Sequence, residues 1–255
     1  MPLIETESLV LKTYNLAEAD RIVVFFTRDH GIVRGVARGA KRLKSRFGST
    51  LEPFSTIDLS YFQKEDRELV SIQSADLLRS YFEQAGEPLF LDTFSYIVDL
   101  LLQFTPPNDP NETLFRMLKA CLAAASDNEV GLFAIQTYFE LWLLRLGGFL
   151  PDWGRCEDCK RPFETDDEAT LRGGFHLHCK RCRSSSGVLQ VTPEHRELYR
   201  DIQRVSPAQF IEFAKGRESA VSDLSTVMRR LISQILESPP TQNQKTTELA
   251  RKNAI

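Results

Sequence analysis

From residue 8 to about residue 75, apolar and polar positions alternate with a period of two, and the apolar ones are rich in β-branched and aromatic residues. That is the pattern of half-buried strands. Strands are predicted over residues 8–14, 22–27, 32–37, 55–62 and 68–74. In the fourth, Ile57, Leu59 and Tyr61 share one face while Asp58 and Ser60 share the other, because side chains alternate along a strand. Arg28-Asp29-His30-Gly31 supplies a turn between the second and third strands, with Asp near the turn start and Gly free to take positive φ. Gln63-Lys64-Glu65-Asp66 is expected to close a hairpin to the fifth. Five short strands in so little chain favour a small closed barrel, since closure removes edges that the sheet cannot otherwise cover. An SH3-like barrel or an open meander is the alternative.

After Ala75 the period lengthens to that of a helix. Helices are predicted over residues 88–104, 112–125, 130–146, 193–205, 207–215 and 218–237, with Pro or Gly near most boundaries. Thr192-Pro193-Glu194 and Ser206-Pro207 each place a capping hydroxyl before a first-turn proline. Phe133, Tyr138, Phe139, Leu141, Trp142, Leu143 and Leu146 cover nearly all sides of their helix, which marks it as the centre of the helical part. Beyond Pro239 the chain turns polar and aperiodic, and residues 239–255 are expected to form a flexible tail. The expected organisation is α+β: a barrel domain over residues 1–80, then a helical domain over 81–238.

Composition adds limits rather than elements. The 255 residues carry 32 Lys+Arg and 35 Asp+Glu, a formal charge of −3, and 42% are hydrophobic, so a packed core is expected over most of the length. The opening Met1-Pro2-Leu3-Ile4-Glu5-Thr6-Glu7 lacks the basic, apolar, small-residue order of an export signal. The longest apolar runs are interrupted by charge well short of the roughly 18–20 residues of a membrane span. A cytoplasmic protein with no membrane attachment is expected.

Four of the five cysteines fall in two pairs, Cys156-Glu157-Asp158-Cys159 and Cys179-Lys180-Arg181-Cys182, separated by 19 residues. Two intervening residues let one tight turn present both sulfurs to a single ion, and two such turns complete a tetrahedron around zinc. A redox dithiol would need a thioredoxin-like βαβ unit, which the pattern lacks. His176 and His178 stand beside the second pair and are expected to stay outside the coordination sphere. A site closed by four thiolates leaves no position for water or substrate, so structural zinc is expected, in an insert over residues 153–188. Cys121 lies among Leu114, Phe115, Leu118 and Leu122 and is read as a buried thiol.

Although the whole chain is slightly acidic, Arg34, Arg38, Lys41, Arg42, Lys44 and Arg46 set six cations in 13 residues with no acid among them. Gly35, Gly39 and Gly48 in the same stretch would let backbone approach a ligand. A phosphate backbone is the natural partner, bound without sequence preference and with steep salt dependence. Phe25, Phe26, Phe47 and Tyr61 are candidate stacking faces for unpaired bases, against the usual role of barrel aromatics as core. Arg172, Lys180, Arg181 and Arg183 form a second cluster, either an extension of the nucleic-acid track or a solvated rim. No phosphate loop, dinucleotide fingerprint, zinc-protease helix or nucleophile elbow occurs, so no catalytic residue is assigned.

Several of these runs together resemble the RecO family of bacterial recombination mediators in DNA repair. The similar segments are Glu7-Ser8-Leu9-Val10-Leu11, Asp20-Arg21-Ile22-Val23-Val24, Phe26-Thr27 before Gly31, and Ala37-Arg38-Gly39-Ala40-Lys41-Arg42. The most specific are Lys44-Ser45-Arg46-Phe47-Gly48 and Leu51-Glu52-Pro53-Phe54. The resemblance implies an oligonucleotide-binding (OB) barrel followed by a helical domain with zinc, and no enzyme turnover. It implies binding of single- and double-stranded DNA in the nucleoid, strand annealing, and help for a recombinase in replacing SSB. The implied partners are SSB, RecR and, indirectly, RecA. DNA contact carries over to Arg34, Arg38, Lys41, Arg42, Lys44 and Arg46 only. The rival from another class is a protein-only interaction adaptor with a structural zinc site, which would show no salt-steep binding to an oligonucleotide.

Overall fold

In the computed structural model, which describes residues 2–16, 18–63, 68–125, 129–172, 175–182 and 189–237, the first five strands close into a ring. They are β1 (Leu3–Asn15), β2 (Arg21–Thr27), β3 (Gly31–Ala37), β4 (Thr56–Phe62) and β5 (Leu69–Arg79), in the order β1-β2-β3-β5-β4. This is an OB-type barrel, so the meander is excluded. Every pairing is antiparallel except β3 with β5, which run parallel over Arg34–Leu69, Gly35–Val70 and Val36–Ser71.

Closure rests on two strands longer than the pattern predicts. β1 pairs with β4 through Leu3 to Leu9 and with β2 through Ser8 to Asn15, shifting register between Val10 and Lys12; the bulge lets one strand serve two neighbours around the curve. β5 likewise pairs with β3 at its start and with β4 along its length. At the parallel seam a Cβ on Gly35 would meet Ile72 Cγ1 at 2.8 Å and Val70 Cγ2 at 2.9 Å. Gly35 therefore permits the two strands to meet; it is buried and serves closure rather than a ligand.

The barrel interior is filled by Val10, Val23, Phe25, Val33, Ile57, Leu59, Tyr61, Val70 and Ile72, joined by Phe47 and Leu51 from the β3–β4 connection. The alternation read in the fourth strand holds: Ile57, Leu59 and Tyr61 are buried and Asp58 is exposed. The turn before Gly31 also forms, with φ of 67° at Gly31 and Thr27 Oγ1 accepting from His30 N–H at 3.0 Å. Residues 64–66 of the expected hairpin lie outside the described residues.

The chain divides into two compact units, Met1–Asp127 and Asn128–Ile255. Strands end near residue 80, but the first unit continues through α1 (Phe82–Ala85), α2 (Pro88–Phe104) and α3 (Glu112–Ala124). Phe54 packs against Phe90 and Phe94 of α2, and Phe26 meets Phe115 of α3 edge-on with ring centroids 5.7 Å apart. Glu7 on β1 receives both Arg28 and Lys119, fixing α3 to the barrel. Cys121 is fully buried on α3, and burial pushes its thiol up, away from nucleophile chemistry.

The second unit is built on α4 (Glu129–Leu146), the nearly all-apolar helix, with α5 (Pro193–Ile202), α6 (Pro207–Ala214) and α7 (Glu218–Glu237) around it. Helix C-terminal carbonyls lack intrahelical partners, and α4 supplies donors where α5 ends. Trp142 Nε1 donates to Ile202 O at 2.9 Å, Arg145 Nη1 to Gln203 O at 2.7 Å and Tyr138 Oη to Val205 O at 2.9 Å. Thr192 and Ser206 cap the starts of α5 and α6 as expected, and His195 and Gln209 return a side-chain contact that completes a capping box at each. A three-stranded sheet, β6 (Ala169–Leu171), β7 (Leu177–Cys179) and β8 (Leu189–Val191) in the order β7-β6-β8, lies between α4 and α5 in sequence. Among the described residues no helix is long and apolar enough to cross a membrane. The expected tail, residues 239–255, lies outside the described residues.

Because Phe47 is sealed in the barrel core, Phe47→Ala is expected to destabilise the first unit by about 3–5 kcal/mol. The check is native-state hydrogen exchange of the β2 and β3 amides in urea; a change below about 1 kcal/mol would mean that the connection is not held by this side chain.

Candidate functional site

In the second unit the sequence Cys-x-x-Cys makes two tight turns. In the first, Lys160 N–H donates to Cys156 O at 2.9 Å and Lys160 takes φ of 58° to turn the chain back. In the second, Cys182 N–H donates to Cys179 O at 3.0 Å, directly after β7. Glu157 N–H donating to Leu177 O at 2.8 Å and Cys179 N–H donating to Cys156 Sγ at 3.3 Å lock the two turns together.

The result brings the sulfurs of Cys156, Cys159, Cys179 and Cys182 within 4.8 Å of one another, with Cys159 and Cys179 Sγ 3.8 Å apart. A tetrahedral ion about 2.3 Å from each thiolate would set its ligands about 3.8 Å apart, so the donor set fits. These four clustered cysteines can hold a metal ion. Backbone donors prepare the charge: against the burial that pushes it up, Cys156 is brought down by the N–H groups of Cys159, Cys179 and Asp158. Cys179, also opposed by burial, is lowered to about 6 by the N–H groups of Cys182 and Arg181 and by hydrogen bonds with Cys156 and Cys182. Hydrogen bonds to Cys179 and Cys159 hold the proton on Cys182, pushing it up to about 12. Without a cation, four adjoining sulfurs do not all ionise; an ion would release the remaining protons.

The surrounding side chains brace the two turns. His178, buried, places Nδ1 2.9 Å from Asp158 Oδ2, and this hydrogen bond holds the Asp158 carboxyl below its usual range. Arg172 donates through Nη2 to Cys182 O at 2.8 Å while its Nη1 lies 3.8 Å from Asp158 Oδ2. One member of the second basic cluster is thus engaged in joining the two turns, a role invisible in the linear spacing. Lys180 and Arg181 are exposed, and Arg183 lies outside the described residues. Trp153 donates to Phe175 O at 3.1 Å and stacks on Tyr199 of α5 with centroids 4.2 Å apart.

In the first unit, the six cations of the first basic cluster are all exposed. Arg34 is on β3, opposite Val24 and Leu69. Arg38 borders a groove of about 410 Å³ with Val36, Glu68, Leu69, Val70 and Ser71. Lys41, Arg42, Lys44 and Arg46 lie on the β3–β4 connection, a chain of turns bonded from Arg42 N–H to Gly39 O at 3.1 Å and from Ser45 N–H to Arg42 O at 2.9 Å. The turns are pinned by Lys41 N–H to Ala19 O at 2.9 Å and Gly39 N–H to Asp20 Oδ1 at 2.8 Å. Arg46 spreads over the Phe47 ring, 4.8 Å from its centroid, and donates to Ile72 O at 3.2 Å. Phe47 and Leu51 go inward, and the charged side chains are left outside together with Leu43. Phe25, Phe26, Phe47 and Tyr61 are all buried, so none offers a face for stacking.

Comparison with known proteins covers both units, although the boundary between its two matches falls before α3 and not at the division between the units. The family description "Recombination protein O N terminal" matches residues 1–81, and "Recombination protein O C terminal" matches residues 93–244. The DNA repair protein RecO of Koribacter versatilis is 32% identical over 237 residues, spanning 91% of this chain and 92% of that protein. The RecO proteins of Syntrophus aciditrophicus and Rubrobacter xylanophilus are 29% identical (74% of this chain, 73% of the relative) and 34% identical (73% and 74%).

Stripping a bound ion with a chelator is expected to raise hydrogen exchange in β6 and β7 about tenfold or more before the barrel strands respond, and Cys179→Ser should reproduce the effect without chelator. Equal protection with and without chelator in a metal-loaded sample would contradict the scaffold role.

Proposed function

Because the chain belongs to the Recombination protein O family of DNA repair proteins, we propose that it acts as a DNA-binding recombination mediator rather than an enzyme. The observation that carries this reading is the display of Arg34, Arg38, Lys41, Arg42, Lys44 and Arg46, exposed and without an intervening acid, on one strand and the connection after it. Such a surface neutralises phosphates irrespective of sequence. Binding falls to the barrel and extends to single- and double-stranded DNA. By lowering the repulsion between two strands while leaving base edges unclaimed, the same surface promotes annealing of complementary strands.

The mediator works with SSB, RecR and, indirectly, RecA, helping the recombinase replace SSB on single strands in the bacterial nucleoid. Zinc is the ion proposed for the four cysteines, since four thiolates suit it and fill its coordination sphere. The ion supplies folding free energy to a small module and has no position open to water or substrate, so it holds shape.

Lys41→Glu combined with Arg42→Glu is expected to weaken binding to oligonucleotides of any sequence. It should also flatten the slope of log affinity against log salt by about 1.4, the loss of two single-strand phosphate contacts. Fluorescence anisotropy over a salt series measures both, and unchanged affinity at low salt would move the contact surface elsewhere. Annealing of SSB-coated complementary strands, with and without the protein, tests the mediator role.

A further inference from the structure

The β3–β4 connection carries a side chain that the barrel does not use. Leu43 is 102% exposed, the most exposed of the large apolar residues among those described. It lies between Arg42 and Lys44, inside the turn closed by Ser45 N–H to Arg42 O at 2.9 Å. Turn corners of this kind usually carry Asp, Asn, Ser, Pro or Gly. The same connection sends two other large apolar side chains, Phe47 and Leu51, into the core at 1% exposure each, so the chain has the means to bury such residues here and leaves Leu43 out.

We propose that Leu43 is a wedge that inserts between unpaired bases of a DNA strand while the flanking cations hold its phosphates. The proposal rests on the reading of the basic stretch as the DNA contact. Three observations favour bases as the occupant. Cations stand on both sides, so a polyanion with an apolar interior, rather than an apolar protein face, matches the surroundings. The one aromatic side chain of the loop before Leu51, Phe47, is buried, as are Phe25, Phe26 and Tyr61, while the exposed Tyr14 stands on β1 and not on the loop; an aliphatic contact is what the loop offers. The backbone around Leu43 is also held in advance, by Ser45 N–H to Arg42 O across its turn and by Lys41 N–H to Ala19 O and Gly39 N–H to Asp20 Oδ1 just before it, so ordering that turn on binding costs little. Leucine is among the apolar residues that enter base steps. A single strand admits it without unpairing, whereas a duplex must first be unstacked, so the wedge favours single strands.

The test uses the full chain with a fluorescein-labelled oligothymidylate, a single strand containing 2-aminopurine, and a blunt duplex. Leu43→Ala is expected to weaken single-strand binding about tenfold, as loss of a buried apolar contact would. Its salt slope should stay unchanged and its duplex affinity should shift less than about twofold. Wild-type binding should brighten 2-aminopurine through unstacking, Leu43→Ala should not, and Leu43→Phe should restore both affinity and signal. Equal single-strand affinity for Leu43→Ala, beside salt-steep binding by the wild type, overturns the wedge and leaves the basic stretch as the contact. A loss equal for single strand and duplex, with a flattened salt slope, overturns it as well, because the substitution then acts through the cations. Absence of salt-steep binding by the wild type overturns both readings. Unchanged DNA binding with weakened capture of an acidic peptide assigns Leu43 to a protein contact and overturns the wedge.

Discussion

A five-stranded sheet loses its edges only when its last strands meet, and here they meet in a parallel pairing of β3 with β5 confined to residues 34–36 and 69–71. The side chains of Val70 and Ile72 occupy the space where a Cβ at position 35 would stand, so closure depends on a glycine. With β5 seated between β3 and β4 in the ring, the chain leaving β3 cannot turn straight back into β4. It must travel past an intervening strand. That detour is the β3–β4 connection, and its course is set by Phe47 and Leu51 reaching into the core. With those anchors fixed, the stretch that leads from β3 up to Phe47 is left on the outside, and it carries Arg38, Lys41, Arg42, Lys44 and Arg46. Most of the charged display thus rides on the detour that closing the ring requires, with Arg34 on β3 itself.

The second unit solves a different problem, that of polar groups drawn out of water. α4 is buried on nearly every side, yet it carries Glu140, fully buried, whose carboxylate accepts from Ser225 Oγ at 2.8 Å, Arg229 Nε at 3.0 Å and Gln136 Nε2 at 3.2 Å. A buried carboxylate is tolerated only when its oxygens are satisfied in this way. The cysteine module follows the same rule: backbone N–H groups stabilise charge on sulfur, and Arg172 and His178 tie the two turns through Asp158. Each of these networks spans residues far apart in the chain.

That separation decides what could be read in advance. Period alone located five strands and six helices to within a few residues, because the alternation of Ile57, Leu59 and Tyr61 or the apolar stripe of α7 is local information. Spacing alone brought four cysteines together. The missed pieces are those fixed from a distance. The first five residues of β1 and the last five of β5 are strand because of the partners that closure gives them. The three short strands β6, β7 and β8 exist beside the cysteine turns, in stretches too short to show a period. Arg172 looked like a surface cation, and Asp158 like a spacer within Cys-x-x-Cys; their contact depends on the fold of residues between. Four aromatic candidates for stacking were claimed by the core, an outcome that volume and not pattern dictates.

The two tryptophans, Trp142 and Trp153, both belong to the second unit. One donates its indole N–H to the end of α5, and the other is sandwiched close against Tyr199 beside the cysteine module. Light absorbed at the red edge of the protein band is therefore emitted from the helical half alone. The barrel, with its phenylalanines and tyrosines, is dark at that wavelength. The molecule carries a built-in optical label that watches one half of itself and is blind to the other.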